Sequence, residues 1–382
     1  MKAHGGWAGA GLWLALAAQA VAADRPAPQV QAWGVTRGGQ PVQRVQLRNA
    51  HGMEVACIDY GATLTAIVVP DARGHRDNVV LSLPSLAAYE DNRRRYGAEI
   101  GRYAGRIGGA RFMLDGREIQ LQPNAKGVYL HADPEGYDRR VWQRHDFSEA
   151  RSLGSVYEMD SPDGDQHFPG HLRLRVVYRL MRDRNELRIE YSATTDAPTV
   201  LNPTNHAFFN LAGAGRAGLD GHRFRIEADR YAVTDALRIP TGELAPVQGT
   251  PLDFRQPASA AERILAADPL LGNPAGFDHS LVFIRQDGRL RPVLQVEERG
   301  SGRRLQVWTT EPSVQFNSGN GFDGSETGSE GVAYPRYAGF AFETQHLPDS
   351  PNHPQFPSTR LDPGRVFSSV TVYRFSAGRS KS

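Results

Sequence analysis

Alternation with a period of two is the feature that most restricts how this chain folds. In Leu172-Arg-Leu-Arg-Val-Val-Tyr-Arg-Leu180, residues Leu172, Leu174, Val176, Tyr178 and Leu180 share one face, and Arg173, Arg175 and Arg179 share the other. Successive side chains of a strand point to opposite faces, so this contrast predicts a strand buried on one side and wet on the other. Asp183-Arg184-Asn185 then supplies turn residues, and Leu187-Arg-Ile-Glu-Tyr-Ser-Ala193 alternates again. The pair reads as an antiparallel hairpin. The same logic returns at residues 293–298, the Gly300-Ser301-Gly302 turn and Leu305-Gln-Val-Trp-Thr309, and once more in Val370-Thr-Val-Tyr-Arg-Phe375. Helical patterns are short, at residues 85–92 and 258–267, and neither belongs to a regular βαβ rhythm. The 40 glycines and 25 prolines provide turns for many strands. The expectation is an all-β protein built as a large antiparallel β-sandwich. No linker, repeat or composition shift divides residues 24–382, which are read as a single domain.

The first residues are read apart from that fold. Lys2 and His4 open the chain, residues 7–18 are almost wholly small and apolar, and Ala20-Val21-Ala22 precedes Asp24-Arg25-Pro26. This is the pattern of a secretory signal, cleaved near Ala22 or Ala23. The apolar run is shorter than the roughly 20 residues of a membrane span, so a periplasmic or secreted chain without an integral anchor is expected. The 44 basic and 42 acidic residues nearly cancel and form no basic block, which excludes nucleic acid as a partner. Cys57, the one cysteine, sits in the apolar run Val55-Ala56-Cys57-Ile58 and is read as a buried, inert thiol.

Three segments place chemistry-bearing side chains in apolar or glycine-rich settings. Gly101-Arg-Tyr-Ala-Gly-Arg-Ile-Gly-Gly109 lacks the ending of a phosphate loop, and Arg111-Phe-Met-Leu-Asp-Gly116 after it reads as a strand entering a turn. By itself it is either a tight turn with surface arginines or close backbone packing that presents one arginine to an oxygen-rich ligand. His206, in Asn202-Pro-Thr-Asn-His-Ala-Phe-Phe-Asn-Leu211, is either a satisfied core residue or a proton donor and acceptor, and His131 is open to the same two readings. In Tyr337-Ala-Gly-Phe-Ala-Phe-Glu-Thr-Gln345, Phe340, Phe342 and Thr344 share one face, while Ala341, Glu343 and Gln345 share the other. A carboxyl half-buried there has its pKa raised toward the working pH, which suits a general base. The long irregular stretches at residues 123–139 and 319–336 are expected to carry the binding site. No metal is expected, because Pro169-Gly170 separates His167 from His171 and excludes a helix that would align them.

Further segments complete an ordered series. They are Tyr60-Gly-Ala-Thr-Leu64 with Val69-Pro-Asp71, Asp77-Asn-Val-Val-Leu81, Ser161-Pro-Asp-Gly164 with Pro169-Gly170, Gly276-Phe-Asp-His279, Val314-Gln-Phe316 with Gly319-Asn320, and Phe342-Glu-Thr-Gln345 with Pro348-Asp349. Taken in order with 101–107 and 205–213, they resemble the aldose 1-epimerase (galactose mutarotase) family. The resemblance implies a β-sandwich of the mutarotase type, no cofactor and a small-molecule sugar as the partner; the chain itself is expected as a monomer or homodimer. It implies that Glu343 is the general base toward the anomeric hydroxyl, that His206 is the general acid toward the ring oxygen, and that Arg106, His131, Asp278 and Gln315 hold the sugar. The chemistry suits these residue types, since opening a hemiacetal needs one group to take a proton and another to give one. Two departures stand out: Ala132-Asp133 where the family often has two glycines, and Gly105 where many members have asparagine. The rival readings are a glycoside hydrolase using Asp278 and Glu343, a catalytically inactive sugar-binding protein, and a hexose 6-phosphate mutarotase with a basic cluster around its pocket.

Overall fold

The alternating run 172–180 forms the strand Leu172–Met181, paired antiparallel with Glu186–Thr195 in the register Leu180↔Leu187. The structure, a computed structural model, describes Met1 and residues 26–132, 134–216 and 218–378. The segment read as a signal, Met1 apart, lies outside the described residues, as does Asp133. Among the described residues, nine strands make the larger antiparallel sheet. It runs from Gln143–Ser148 through Ser152–Ser161, the 172–195 hairpin, Phe367–Ala377, Arg303–Thr309 and Arg291–Glu298 to His222–Ile226 and Ala258–Ser259. Leu172, Val176, Tyr178 and Leu180 are fully buried, as the alternation requires. On the opposite face, Arg175 lies across from Glu158 and Arg173 across from Asp160. These exposed cross-strand pairs contribute about 0.2–1 kcal/mol each and mark a solvated surface.

A second sheet of six strands packs on the first. Its order is Phe208–Phe209, Phe340–Gln345, Ser313–Asn317, Asp278–Phe283, Ala228–Thr234, Pro240–Pro246. Phe340, Phe342 and Phe316 point inward and meet Phe224 of the larger sheet at ring-centroid distances of 5.0, 6.1 and 5.3 Å. Thr344 Oγ1 reaches Thr371 Oγ1 at 2.6 Å across the same interface. Each fully buried phenylalanine of this cluster contributes about 2–3 kcal/mol of apolar transfer, so the inner face of Phe340–Gln345 is fixed firmly. The architecture is the expected sandwich. Five further strands, Gln29–Val35 through Arg76–Asn78, form a third sheet that buries Cys57 completely, and burial pushes its thiol far up. Both helical patterns become single short helices. Leu86–Asp91 is capped by Ser85 and Ala260–Leu265 by Ser259, each serine oxygen accepting from a backbone N–H three residues on.

Because the inner face of the six-stranded sheet is core, period two turns Glu343, Gln315 and Asp278 outward. Short segments roof that outer face: Glu99–Ile100 paired with Thr204–Asn205, and Arg106–Ile107 paired with Tyr129–Leu130. Beneath the first pair lies a buried acid that no local pattern announces. Glu99 is 1% exposed, with Oε1 2.5 Å from the Tyr178 hydroxyl and 3.0 Å from Asn205 Nδ2, and Oε2 2.9 Å from the Tyr191 hydroxyl. The Tyr178 hydroxyl also lies 2.7 Å from the Ala62 carbonyl. One phenolic hydrogen serves only one of these two acceptors. A protonated Glu99 resolves the conflict, donating to Tyr178 while Tyr178 donates to Ala62. Burial raises the Glu99 carboxyl to about 7, against the pull of its hydrogen-bond donors. An acid raised in the folded state stabilises fully below its unfolded pKa, and that stability is lost as pH climbs through the folded value. Between pH 4.5 and 7 this amounts to on the order of 2–3 kcal/mol. Chemical denaturation at pH 5 and pH 8 checks it. In Glu99→Gln, which cannot ionise, the stability difference between the two pH values shrinks by about that amount; an unchanged difference refutes a neutral Glu99.

Candidate active site

Three neighbouring strands set a row of polar side chains on the outer face. Glu343 pairs in register with Gln315, and Gln315 with Ser280. Strands about 4.8 Å apart make this row roughly 10 Å long, enough to run along one sugar ring. Asp278, two residues before Ser280, joins it. Ser280 Oγ donates to Gln315 Oε1 at 2.5 Å, which fixes the amide so that Gln315 Nε2 donates to Asp278 Oδ1 at 2.7 Å. Asn317 Nδ2 adds a 3.4 Å contact to the same oxygen. Arg238 Nη1 bonds Asp278 Oδ2, and Arg106 Nη2 lies 3.9 Å from it. Burial works to raise the Asp278 carboxyl, but the two guanidiniums and the Gln315 amide outweigh it and hold the pKa below the usual range. Asp278 is therefore a fixed anion, an acceptor for hydroxyl groups.

The roof brings the histidines over the other end of the row. The His206 backbone N–H donates to the Ala98 carbonyl at 2.9 Å, and its carbonyl accepts from Gly97 N–H at 3.0 Å, so the residue is clamped from both sides. His206 Nε2 lies 3.5 Å from Glu343 Oε1, with both side chains nearly inaccessible. Burial, with the Arg95 guanidinium nearby, lowers the His206 pKa to about 4. Burial, reinforced by the Asp278 charge and opposed by Arg106 and Arg95, raises Glu343 to about 8. Near neutral pH the pair thus holds one proton, seated on Glu343. His131 completes the group, its ring centroid 5.6 Å from that of His206. Its Nδ1 accepts the Gly105 N–H at 3.1 Å, and burial together with Arg95, His206 and Arg106 lowers its pKa well below normal. A neutral ring with Nδ1 engaged carries its proton on Nε2.

Ligand atoms of His131, His206 and Glu343 lie within 4.8 Å of one another, a spacing that also suits a metal ion. The donor chemistry argues otherwise. His131, with its proton on Nε2, has no lone pair left to offer, and the positive charge of Arg95 acts on both imidazoles, joined at His131 by that of Arg106. The cluster is built to handle protons.

The two signature arginines separate cleanly. Arg102 is completely buried, its guanidinium bonding the carbonyls of Pro169 and Gly170 and the Ser161 hydroxyl; it staples the neighbouring loop. Neither arginine is the surface residue of the tight-turn reading. Arg106 is presented to the site from a strand whose own carbonyl accepts from Asp349 N–H at 2.8 Å, while Asp349 Oδ1 accepts from Gly108 N–H at 2.9 Å.

All six side chains named from the sequence, Glu343, His206, Arg106, His131, Asp278 and Gln315, therefore converge on one face. A family model described as aldose 1-epimerase matches residues 43–374. This chain belongs to the aldose 1-epimerase family. It is 38% identical to galactose mutarotase of Rattus norvegicus over 339 residues, covering 89% of this chain and 95% of the relative. It is 39% identical to aldose 1-epimerase of Escherichia coli K12 over 342 residues, covering 89% and 96%. Among solved structures, galactose 1-epimerase from Lactobacillus acidophilus superposes with a TM-score of 0.81 at 26% identity, over 92% of this chain and 99% of that one.

Within this family, the two departures have a local physical reading. Gly105 has φ +83°, and a Cβ there would meet Pro348 at 3.0 Å, so the bare backbone suits the place. Ala132 takes φ 63°, directly after His131 at 53°; two successive non-glycine residues in the left-handed region cost about 1 kcal/mol or more each. A glycine at 132 would ease that turn.

Ser280 and Asn317 escaped the sequence reading, although period two from Asp278 and Gln315 points to both. Arg95 and Arg238 left no such signal. Gln345 shares the face of Glu343 but does not join the row: both amide atoms are buried without a hydrogen-bond partner among the described residues, Nε2 lying near Gly105. Of the two long irregular stretches, 123–139 supplies His131. The other supplies none of the six and instead packs through Glu326 on Arg94 and Tyr96.

Proposed function

We propose that this chain interconverts the α and β anomers of free aldoses by paired acid–base catalysis, with Glu343 and His206 as the pair. The observation that carries the reading is the buried Glu343–His206 contact at one end of a row of fixed hydroxyl acceptors and donors. Ring opening begins when the Glu343 carboxylate takes the proton from the C1 hydroxyl. The C1–O1 bond becomes a carbonyl, the C1–O5 bond breaks, and O5 takes a proton from His206 Nε2. Rotation about C1–C2 exposes the other face of the aldehyde, and the reverse transfers close the ring.

Counting protons ties this cycle to the site. After opening, Glu343 is protonated and His206 neutral, the state in which the ligand-free pair rests. The tautomer that binds the closed sugar differs from it by one proton moved across the 3.5 Å contact, with no change in net charge. Arg106, Asp278, Gln315 and His131 fix the ring so that both transfers are short. The composition of residues 1–23 supports an exported enzyme, a reading that N-terminal sequencing of the secreted chain tests.

Polarimetry of freshly dissolved α-D-glucose and α-D-galactose, with the spontaneous rate subtracted, tests the function. Fast equilibration is expected, with a bell-shaped pH dependence. The acid limb lies near pH 4, where His206 gains a second proton, and the alkaline limb near pH 8, where Glu343 loses the only one. A rate equal to the buffer blank on these hexoses and on pentoses leaves a sugar-binding protein as the better account.

A further inference from the structure

We propose that Arg238 reads the end of the substrate remote from C1, and that the site takes aldoses bearing an anionic group at that end. This rests on the mutarotase reading of the same site and deepens it. The strand order places the residues in sequence: Glu343 on Phe340–Gln345, Gln315 on Ser313–Asn317, Asp278 on Asp278–Phe283, and then the hairpin of Ala228–Thr234 and Pro240–Pro246. Arg238 stands at the tip of that hairpin, in a turn closed by Arg238 N–H to the Asp235 carbonyl and Asp235 N–H to the Ile239 carbonyl, each at 2.9 Å. A sugar with its anomeric carbon at Glu343 and His206 therefore extends toward Arg238.

Charge sets the class of group expected there. Arg238 and Arg106 are permanent cations, and both fall on the single carboxylate of Asp278. Gln315, Asn317 and Ser280, which complete the row, are neutral. The cluster of Arg238, Arg106 and Asp278 thus carries one more positive charge than negative. Arg238 is also the most open member of the group, its side chain 42% exposed against 14% for Asp278. A guanidinium has five N–H donors in a planar fork, and Asp278 engages only one edge of this one. A hydroxyl group answers the remaining donors without answering the charge; an oxyanion answers both through charge-assisted, bidentate hydrogen bonds. A carboxylate at C6, as in a hexuronate, and a phosphate ester at C6 share this chemistry.

Anomer exchange measured by polarimetry and NMR for D-galacturonate, D-glucuronate and D-glucose 6-phosphate, beside D-galactose and D-glucose, tests the inference. For the wild type, kcat/KM for at least one anionic sugar exceeds that for its neutral counterpart by about tenfold or more. Whether carboxylate or phosphate gives the advantage identifies the source of the anion. Arg238→Gln, which keeps reach and hydrogen bonding without charge, lowers the anionic-to-neutral ratio by at least about tenfold, and Arg238→Lys retains most of it. A wild type that favours neutral sugars overturns the proposal whether or not the variants fold, and so does a ratio that Arg238→Gln leaves unchanged. Turnover of neutral sugars in the same assay shows that the mutarotase reading survives such a failure; its absence on every sugar shows that it does not.

Discussion

Glu343→Gln lowers kcat for anomer exchange by about 10³-fold or more while KM stays within a few-fold of wild type. The amide keeps the volume and polarity of the carboxyl but cannot accept the proton of the C1 hydroxyl, so the loss falls on the chemical step. Binding is expected to be spared because the proposed sugar-holding groups, Asp278, Gln315 and Arg106, hold one another through contacts in which Glu343 takes no direct part. The fold is spared too. Glu343 Oε2 has no hydrogen-bond partner among the described residues, and burial keeps the group protonated up to about pH 8. Above that pH the folded chain must hold a poorly solvated carboxylate, a cost that the glutamine removes. Stability at pH 9 is therefore expected to rise in the variant as activity disappears, and the alkaline limb of any residual rate is lost. Polarimetry at saturating galactose and denaturation at pH 6 and pH 9 measure both. Retention of more than a tenth of wild-type kcat removes Glu343 from the acid–base pair.

The route by which Glu343 is found in the sequence also marks where sequence reading stops. Phe340, Phe342 and Thr344 alternate with Ala341, Glu343 and Gln345, so once one face is core the other must project away, and the carboxyl is located before any coordinates. Arg173 and Arg175 are read as solvated by the same rule, and their cross-strand acids confirm it. His206 and Arg106 are different. His206 follows the two-residue strand Thr204–Asn205 and Arg106 opens the two-residue strand Arg106–Ile107, where no period exists to orient a side chain, so their roles rest on family resemblance. Contacts between distant segments left no trace at all. Glu99 finds Tyr178 and Tyr191 only through the packing of separate sheets, and Arg238 reaches Asp278 from a hairpin tip 40 residues earlier. Local pattern orients residues within an element; which elements meet is settled by core packing, and the electrostatics of the site follow from that meeting.

His206→Asn lowers kcat by about 10²–10⁴-fold, the range for loss of one positioned proton transfer. Asparagine offers a donor and an acceptor but no group that titrates, so O5 must take its proton from water or from Glu343 directly. The backbone should not shift, because Gly97 and Ala98 hold residue 206 through main-chain bonds that any side chain permits. A second readout separates catalysis from structure. Burial lowers the His206 pKa to about 4 in the folded state, against 6.5 for a free imidazole. As pH falls from 6.5 toward 4, the unfolded chain gains a proton that the folded one refuses, and stability drops by on the order of 3 kcal/mol from this group. Asparagine escapes that penalty, so the variant should lose less stability than wild type between pH 7 and pH 4. A residue needed only for packing would lose activity and acid stability together. Loss of turnover with a gain in acid resistance is the signature of a histidine kept buried and neutral for its proton chemistry.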